Sequence, residues 1–249
     1  MQDMSVPAVS RIMKNSRSRS CVGRWRFAIL VISLLGIVWG PAVSAEDRAP
    51  ASETHGTGQE QPSQAGEPAA TIEGFRQARF GMNEDQVRQA VRKDFPAVGK
   101  LGSATHPTEK TTVLTLSVAD LLPNSGNAHI SYIFGYRSKK LIQVNVLWTS
   151  DRSNGGDETV IGTANSLRDY FLSQNYKADS VIANRQLAEN TIIVFGANDL
   201  QGRTVLLVLS GVAATASTKE KKEPPLTLEL AYIQDASHPD VFRIGKGQF

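Results

Sequence analysis

Ile142, Val144, Val146 and Trp148 stand at every second position, with Gln143 and Asn145 between them. A strand turns successive side chains to opposite faces, so this spacing puts apolar groups on one side and amides on the other. Thr112, Leu114, Leu116 and Val118 alternate in the same way with Thr111, Val113, Thr115 and Ser117. Strands with one buried and one wet face belong to antiparallel sheets, because parallel sheets are covered on both sides. This alternation constrains the fold more than any other feature of the chain.

Around it the other elements fall into order. Residues 128–134 and 141–148 flank the short connection Gly135-Tyr136-Arg137-Ser138-Lys139-Lys140, the pattern of a β-hairpin. Further strands are expected at residues 191–197, 203–212 and 226–233, with a weaker extended stretch at 179–186. Ahead of the first strands, Asn83 and Gln86 have the spacing of a capping box, and Met82 and Val87 that of a hydrophobic staple. Val87, Ala90, Val91 and Phe95 then form one apolar helical face, and Pro96 ends it. A second helix opens at Asp157 and Glu158 and carries Val160, Ala164, Leu167 and Phe171 on one stripe. The expected fold class is α+β: two α-β-β-β units, halves at about residues 72–150 and 151–249, with helices packed on one face of antiparallel sheet or sheets.

The N-terminus has a different character. Arg11, Lys14, Arg17, Arg19, Arg24 and Arg26 precede an uncharged apolar run over residues 27–39, closed by Gly40 and Pro41. Val43, Ser44 and Ala45 then supply the small residues a signal peptidase needs. The run has thirteen residues, short of the roughly 20 that span a bilayer. Residues 1–45 therefore read as a cleavable secretory signal, which predicts a periplasmic protein with no transmembrane segment after cleavage. Residues 46–71 follow as a disordered linker, rich in Pro, Gly, Gln, Ser and Glu and without a large apolar side chain through residue 70. The loop at residues 215–225 is likewise read as solvated.

Removal of the signal reverses the charge. The whole chain carries 27 basic and 24 acidic residues, net +3. Residues 1–45 hold six of the basic and one of the acidic ones, which leaves 21 against 23, net −2. The basicity belongs to the signal, and no nucleic-acid partner is expected. Cys21, the one cysteine, is lost with it. The mature chain then has no disulfide, thiolate metal ligand or cysteine nucleophile. About 178 residues remain to build one core, enough to bury about 70% of the unfolded surface.

The motifs of chemistry are sparse. His55, His106, His129 and His238 form no metal-ligand spacing, and no Gly-x-Ser-x-Gly elbow or glycine-rich phosphate loop is present. Gly155-Gly156 precedes a helix, but Asp157 and Glu158 would repel an anion there. Residues 151–157 place oxygen ligands as a calcium loop does, yet the twelfth position is Gly162 rather than a bidentate Glu. No catalytic residue, metal site or cofactor is assigned. The best contact surface is the hairpin tip, where Tyr136, Arg137, Lys139 and Lys140 gather three cations and an aromatic ring on an anchored turn. It would suit an envelope protein or another acidic surface; an ordinary solvated turn carries the same residues.

The stretch Phe80-Gly81-Met82-Asn83 through Val87 resembles the helix start of BamE/SmpA-like envelope domains, which implies a helix pair on a three-stranded antiparallel sheet. This chain lacks that family's lipid-bearing cysteine and the Gly-x-Pro after the helix. Tandem helix-plus-sheet units look like the architecture of the β-lactamase-inhibitor-protein fold. The run from Ser131 to Leu141 and the phrase Asp120-Leu121-Leu122-Pro123 are similar to uncharacterised exported bacterial proteins. The resulting expectation is an exported, non-enzymatic envelope binding module. The alternatives are a periplasmic small-ligand carrier lined by Tyr132, Phe134, Trp148 and Tyr170, or an enzyme with an unrecognised site.

Overall fold

In the computed structural model, residues 69–151, 156–212, 224–245 and 247 are described. All described residues belong to one compact unit. The expected signal at 1–45, the linker through residue 68 with His55, residues 152–155 of the tested calcium loop and most of the loop at 215–225 lie outside the described residues.

Among the described residues ten strands and two helices follow one another. They are β1 (Gly74–Phe75), β2 (Ala78–Arg79), α1 (Glu84–Asp94), β3 (Gly102–Thr105), β4 (Thr112–Ala119), β5 (Asn127–Phe134) and β6 (Leu141–Thr149). Then come α2 (Gly156–Leu172), a single 3-10 turn at Ala178–Ser180, β7 (Ile182–Ala188), β8 (Thr191–Asn198), β9 (Thr204–Ser210) and β10 (Thr227–Ile233). β1 and β2 pair as a small ribbon. The other eight strands form one sheet in the order β3-β4-β5-β6-β10-β9-β8-β7, antiparallel throughout.

This corrects the expected α+β class of two α-β-β-β units with helices packed on sheet faces. The protein is mainly β: one large sheet, one ribbon and only two helices among the described residues. The physical reason lies at the seam. β6 and β10 would each be an open edge in a separate unit, and an edge presents unpaired amides and carbonyls. Here they pair with each other from Thr149↔Thr227 to Gln143↔Ile233. That register joins the apolar rows of both halves. Leu114, Tyr132, Val144, Tyr232, Val205 and Ala197 line up across six strands, as do Leu116, Ile130, Val146, Leu230, Leu207 and Phe195. Both rows belong to a single core.

Of the two outer strands, β3 was not expected, and β7 takes the place of the weaker extended stretch expected at 179–186. β3 has every residue exposed, and β7 is exposed after Ile182. An outer strand that buries neither face has no alternation to show.

α1 forms as its cap dictates. Asn83 Oδ1 accepts the Gln86 amide and Gln86 Oε1 accepts the Asn83 amide, each at 2.9 Å. From α2, Phe171 stacks on Phe195 at 5.4 Å and meets Tyr232 edge-on. Among the described residues no helix is long and apolar enough to cross a membrane.

Candidate functional site

The β5–β6 turn is closed by the Gly135 amide on the Lys140 carbonyl at 2.8 Å and the Lys139 amide on the Gly135 carbonyl at 3.1 Å. Lys139 takes a left-handed conformation, φ 54°. Within the hairpin the amides of Tyr136, Arg137 and Ser138 have no strand partner, and unpaired backbone donors need one. One residue supplies it for all three. The Tyr136 amide donates to the Asp240 carbonyl at 2.8 Å, Arg137 to Asp240 Oδ1 at 3.0 Å, and Ser138 to Asp240 Oδ2 at 2.8 Å. Gly135 leaves room for this, since a Cβ at that position would collide with the Asp240 carboxylate.

Asp240 belongs to a strap, residues 234–245, that leaves the end of β10. The Gln234 amide bonds the Ile142 carbonyl at 2.9 Å. Asp235 Oδ1 accepts the amides of Ser237 and His238 at 2.9 and 2.8 Å, the side-chain-to-backbone pattern that turns a chain. Beyond the hairpin tip, the Phe242 amide reaches the Glu109 carbonyl in the β3–β4 turn at 2.8 Å. The strap thus links two turns at one end of the sheet.

Between strap and turn lies a groove of about 600 Å³, lined by Tyr136, Arg137, Lys139, Val241, Phe242 and Arg243. The rings of Tyr136 and Phe242 meet edge to face at 5.4 Å. The Lys139 ammonium stands 5.3 Å from the centroid of the Tyr136 ring, where the negative ring face attracts a cation. Three cations and an aromatic pair therefore line the groove together. Asp240 is outside the lining. Partial desolvation pushes its carboxyl up, but the amide and hydroxyl of Ser138, the amide of Arg137 and the Arg137 charge together outweigh it and hold the group below its ordinary range.

Of the four residues singled out in the sequence, Tyr136, Arg137 and Lys139 line this groove, while Lys140 is exposed on the turn and outside the lining. Sequence reasoning missed Asp240, Val241, Phe242 and Arg243. They sit in the tail after β10, where no element was expected, about a hundred positions from the turn they meet. A Pro-Asp step followed by an aromatic and a cation is the one local signal they offer, and it does not say where the tail docks.

The remaining candidates are dispersed. His106 Nδ1 accepts the Glu109 amide at 3.0 Å within its own turn. His238 lies 3.7 Å from Asp235. His129 Nδ1 stands 2.8 Å from Ser117 Oγ as a cross-strand pair between β4 and β5. Both side chains are on the sheet surface rather than in the groove. Tyr132, Phe134 and Trp148 are packed in the core and Tyr170 is exposed, so they do not line one pocket. The amides expected on a wet face are only partly so: Asn145 is buried and donates to Glu229 Oε1 at 2.8 Å, and burial pushes the Glu229 carboxyl up. No three metal-ligand side chains gather among the described residues. Comparison with known proteins finds no matching family model, curated protein or solved structure.

Proposed function

We propose that this chain is an exported, non-enzymatic interaction module of the bacterial envelope, and that it engages an acidic segment of a partner protein through the groove between hairpin and strap. The observation that carries the reading is the convergence of Arg137, Lys139 and Arg243 on the Tyr136–Phe242 pair, in a groove whose neighbouring carboxylate, Asp240, is held by turn amides. The signal pattern of residues 1–45 and the polar stretch after it support export on a tether. A tether of this composition lets a folded module search for its partner.

Magnitudes shape the partner. Exposed ion pairs contribute about 0.2–1 kcal/mol each. Three of them stay below the roughly 4 kcal/mol that even millimolar binding needs. The aromatic pair must contribute as well, so the partner segment carries an apolar or aromatic residue between its acidic ones. A concave groove also favours a peptide over a flat lipid surface, against which an acidic headgroup would meet the cations but not the lining rings.

The test is a titration of the purified protein with the peptide Glu-Glu-Phe-Glu-Glu. Binding is expected to weaken at least tenfold in the triple variant Arg137→Glu, Lys139→Glu, Arg243→Glu, to fall at high salt, and to fall again when the peptide's Phe is replaced by Glu. Equal affinity in the triple variant contradicts the reading. So does tighter binding to anionic vesicles than to the peptide.

A further inference from the structure

Half of the groove is not part of the sheet. Tyr136, Arg137 and Lys139 come from a turn anchored by β5 and β6, whereas Val241, Phe242 and Arg243 come from the strap. The strap meets the turn through Asp240, whose three hydrogen bonds lie at the tip, and through the Tyr136–Phe242 edge contact. Phe242, Arg243 and Ile244 are all exposed, so little apolar burial holds this part of the strap down.

We infer that Asp240 is the latch of a composite site: its seating on the amides of Tyr136, Arg137 and Ser138 places Phe242 and Arg243, and an acidic peptide binds only while the strap is seated. This rests on the proposed role of the groove. Asp240 is a positioning residue here, because it contacts the turn and not the groove's interior. The coupling has a fixed sign. A ligand that touches Phe242 and Arg243 in the seated state alone must favour that state, and by reciprocity seating must favour the ligand. The opposite arrangement, in which Asp240 occupies the place of the ligand's own carboxylate, would make its removal strengthen binding. The hydrogen bonds argue against it: the seated carboxylate accepts the backbone amides of Arg137 and Ser138 and lies outside the groove lining, although the Arg137 charge favours its ionised form.

Two readouts on the purified protein decide the matter. Amide hydrogen exchange at Tyr136, Arg137 and Ser138 reports seating without any ligand, and titration with Glu-Glu-Phe-Glu-Glu reports the site. In Asp240→Asn, exchange at the three amides is expected to rise at least tenfold and peptide affinity to fall at least fivefold. In Arg137→Ala, Lys139→Ala, Arg243→Ala, affinity falls while the three amides stay protected. In the wild type, added peptide slows exchange at the same amides. Unchanged exchange in Asp240→Asn overturns the latch and leaves the groove reading standing. Faster exchange with unchanged or tighter peptide binding overturns the coupling. A wild type that does not bind the peptide at all overturns the groove reading and with it the coupling, whatever the exchange shows.

Discussion

At the residue scale the molecule depends on a few side chains that supply backbone groups far away in sequence. The carboxylate and carbonyl of Asp240 serve three turn amides across about a hundred positions, and the Asp199 carboxylate, itself in the β8–β9 turn, reaches the Ile72 amide 127 positions away as well as two amides of its own turn. There its carboxylate is buried and accepts the amides of Ile72, Gln201 and Arg203 at 2.9–3.0 Å. Each carboxylate ties a terminal segment to a turn, Asp199 the incoming chain and Asp240 the outgoing one. For Asp240 the sign of the pH effect follows from its lowered pKa. Hydrogen bonds and the Arg137 charge favour the ionised form, so seating is fully stabilised above the ordinary value of 3.8 and is lost as pH falls through a lower one. The Arg137 and Ser138 amide resonances should therefore titrate with an inflection below 3.8, absent in Asp240→Asn. An inflection at or above that value would contradict the geometry.

At the element scale, what the sequence showed and what it hid divide along burial. α1 was legible because its cap is a local contract between Asn83 and Gln86, three positions apart. Asn83→Ala should cost about 1 kcal/mol in chemical denaturation. Phe171→Ala, which removes a ring stacked on Phe195 in the core, should cost about 3–5 kcal/mol. A larger loss at Asn83 than at Phe171 would reverse the assignment of local and core contributions. The strands β4, β5, β6 and β10 were legible because apolar and polar residues alternate along them, and β8 and β9 because each is a short apolar run bounded by turn residues. β3 and β7 bury almost nothing, so β3 left no pattern and β7 only the weaker extended stretch at 179–186. The β6–β10 pairing was hidden as well. Strand identity is local, but strand partnership across some eighty positions is decided by which edges can join their apolar rows.

At the scale of the whole molecule, that seam turns two meanders into one sheet, and the strap then closes over one end of it. The candidate site was half legible for the same physical reason as the sheet. Arg137 and Lys139 announce a charged turn, whereas Phe242 and Arg243 become part of a groove only through a long-range docking that no local pattern encodes. The central claim is that this groove, rather than the sheet face or α2, meets the partner. A two-dimensional NMR titration of the purified protein with Glu-Glu-Phe-Glu-Glu tests it most directly. The account predicts shifts that saturate together at Tyr136, Arg137, Lys139, Phe242 and Arg243, with Tyr170 on α2 and His129 on β5 unmoved. Saturating shifts centred on α2 or on the sheet face, with the hairpin tip silent, would contradict it.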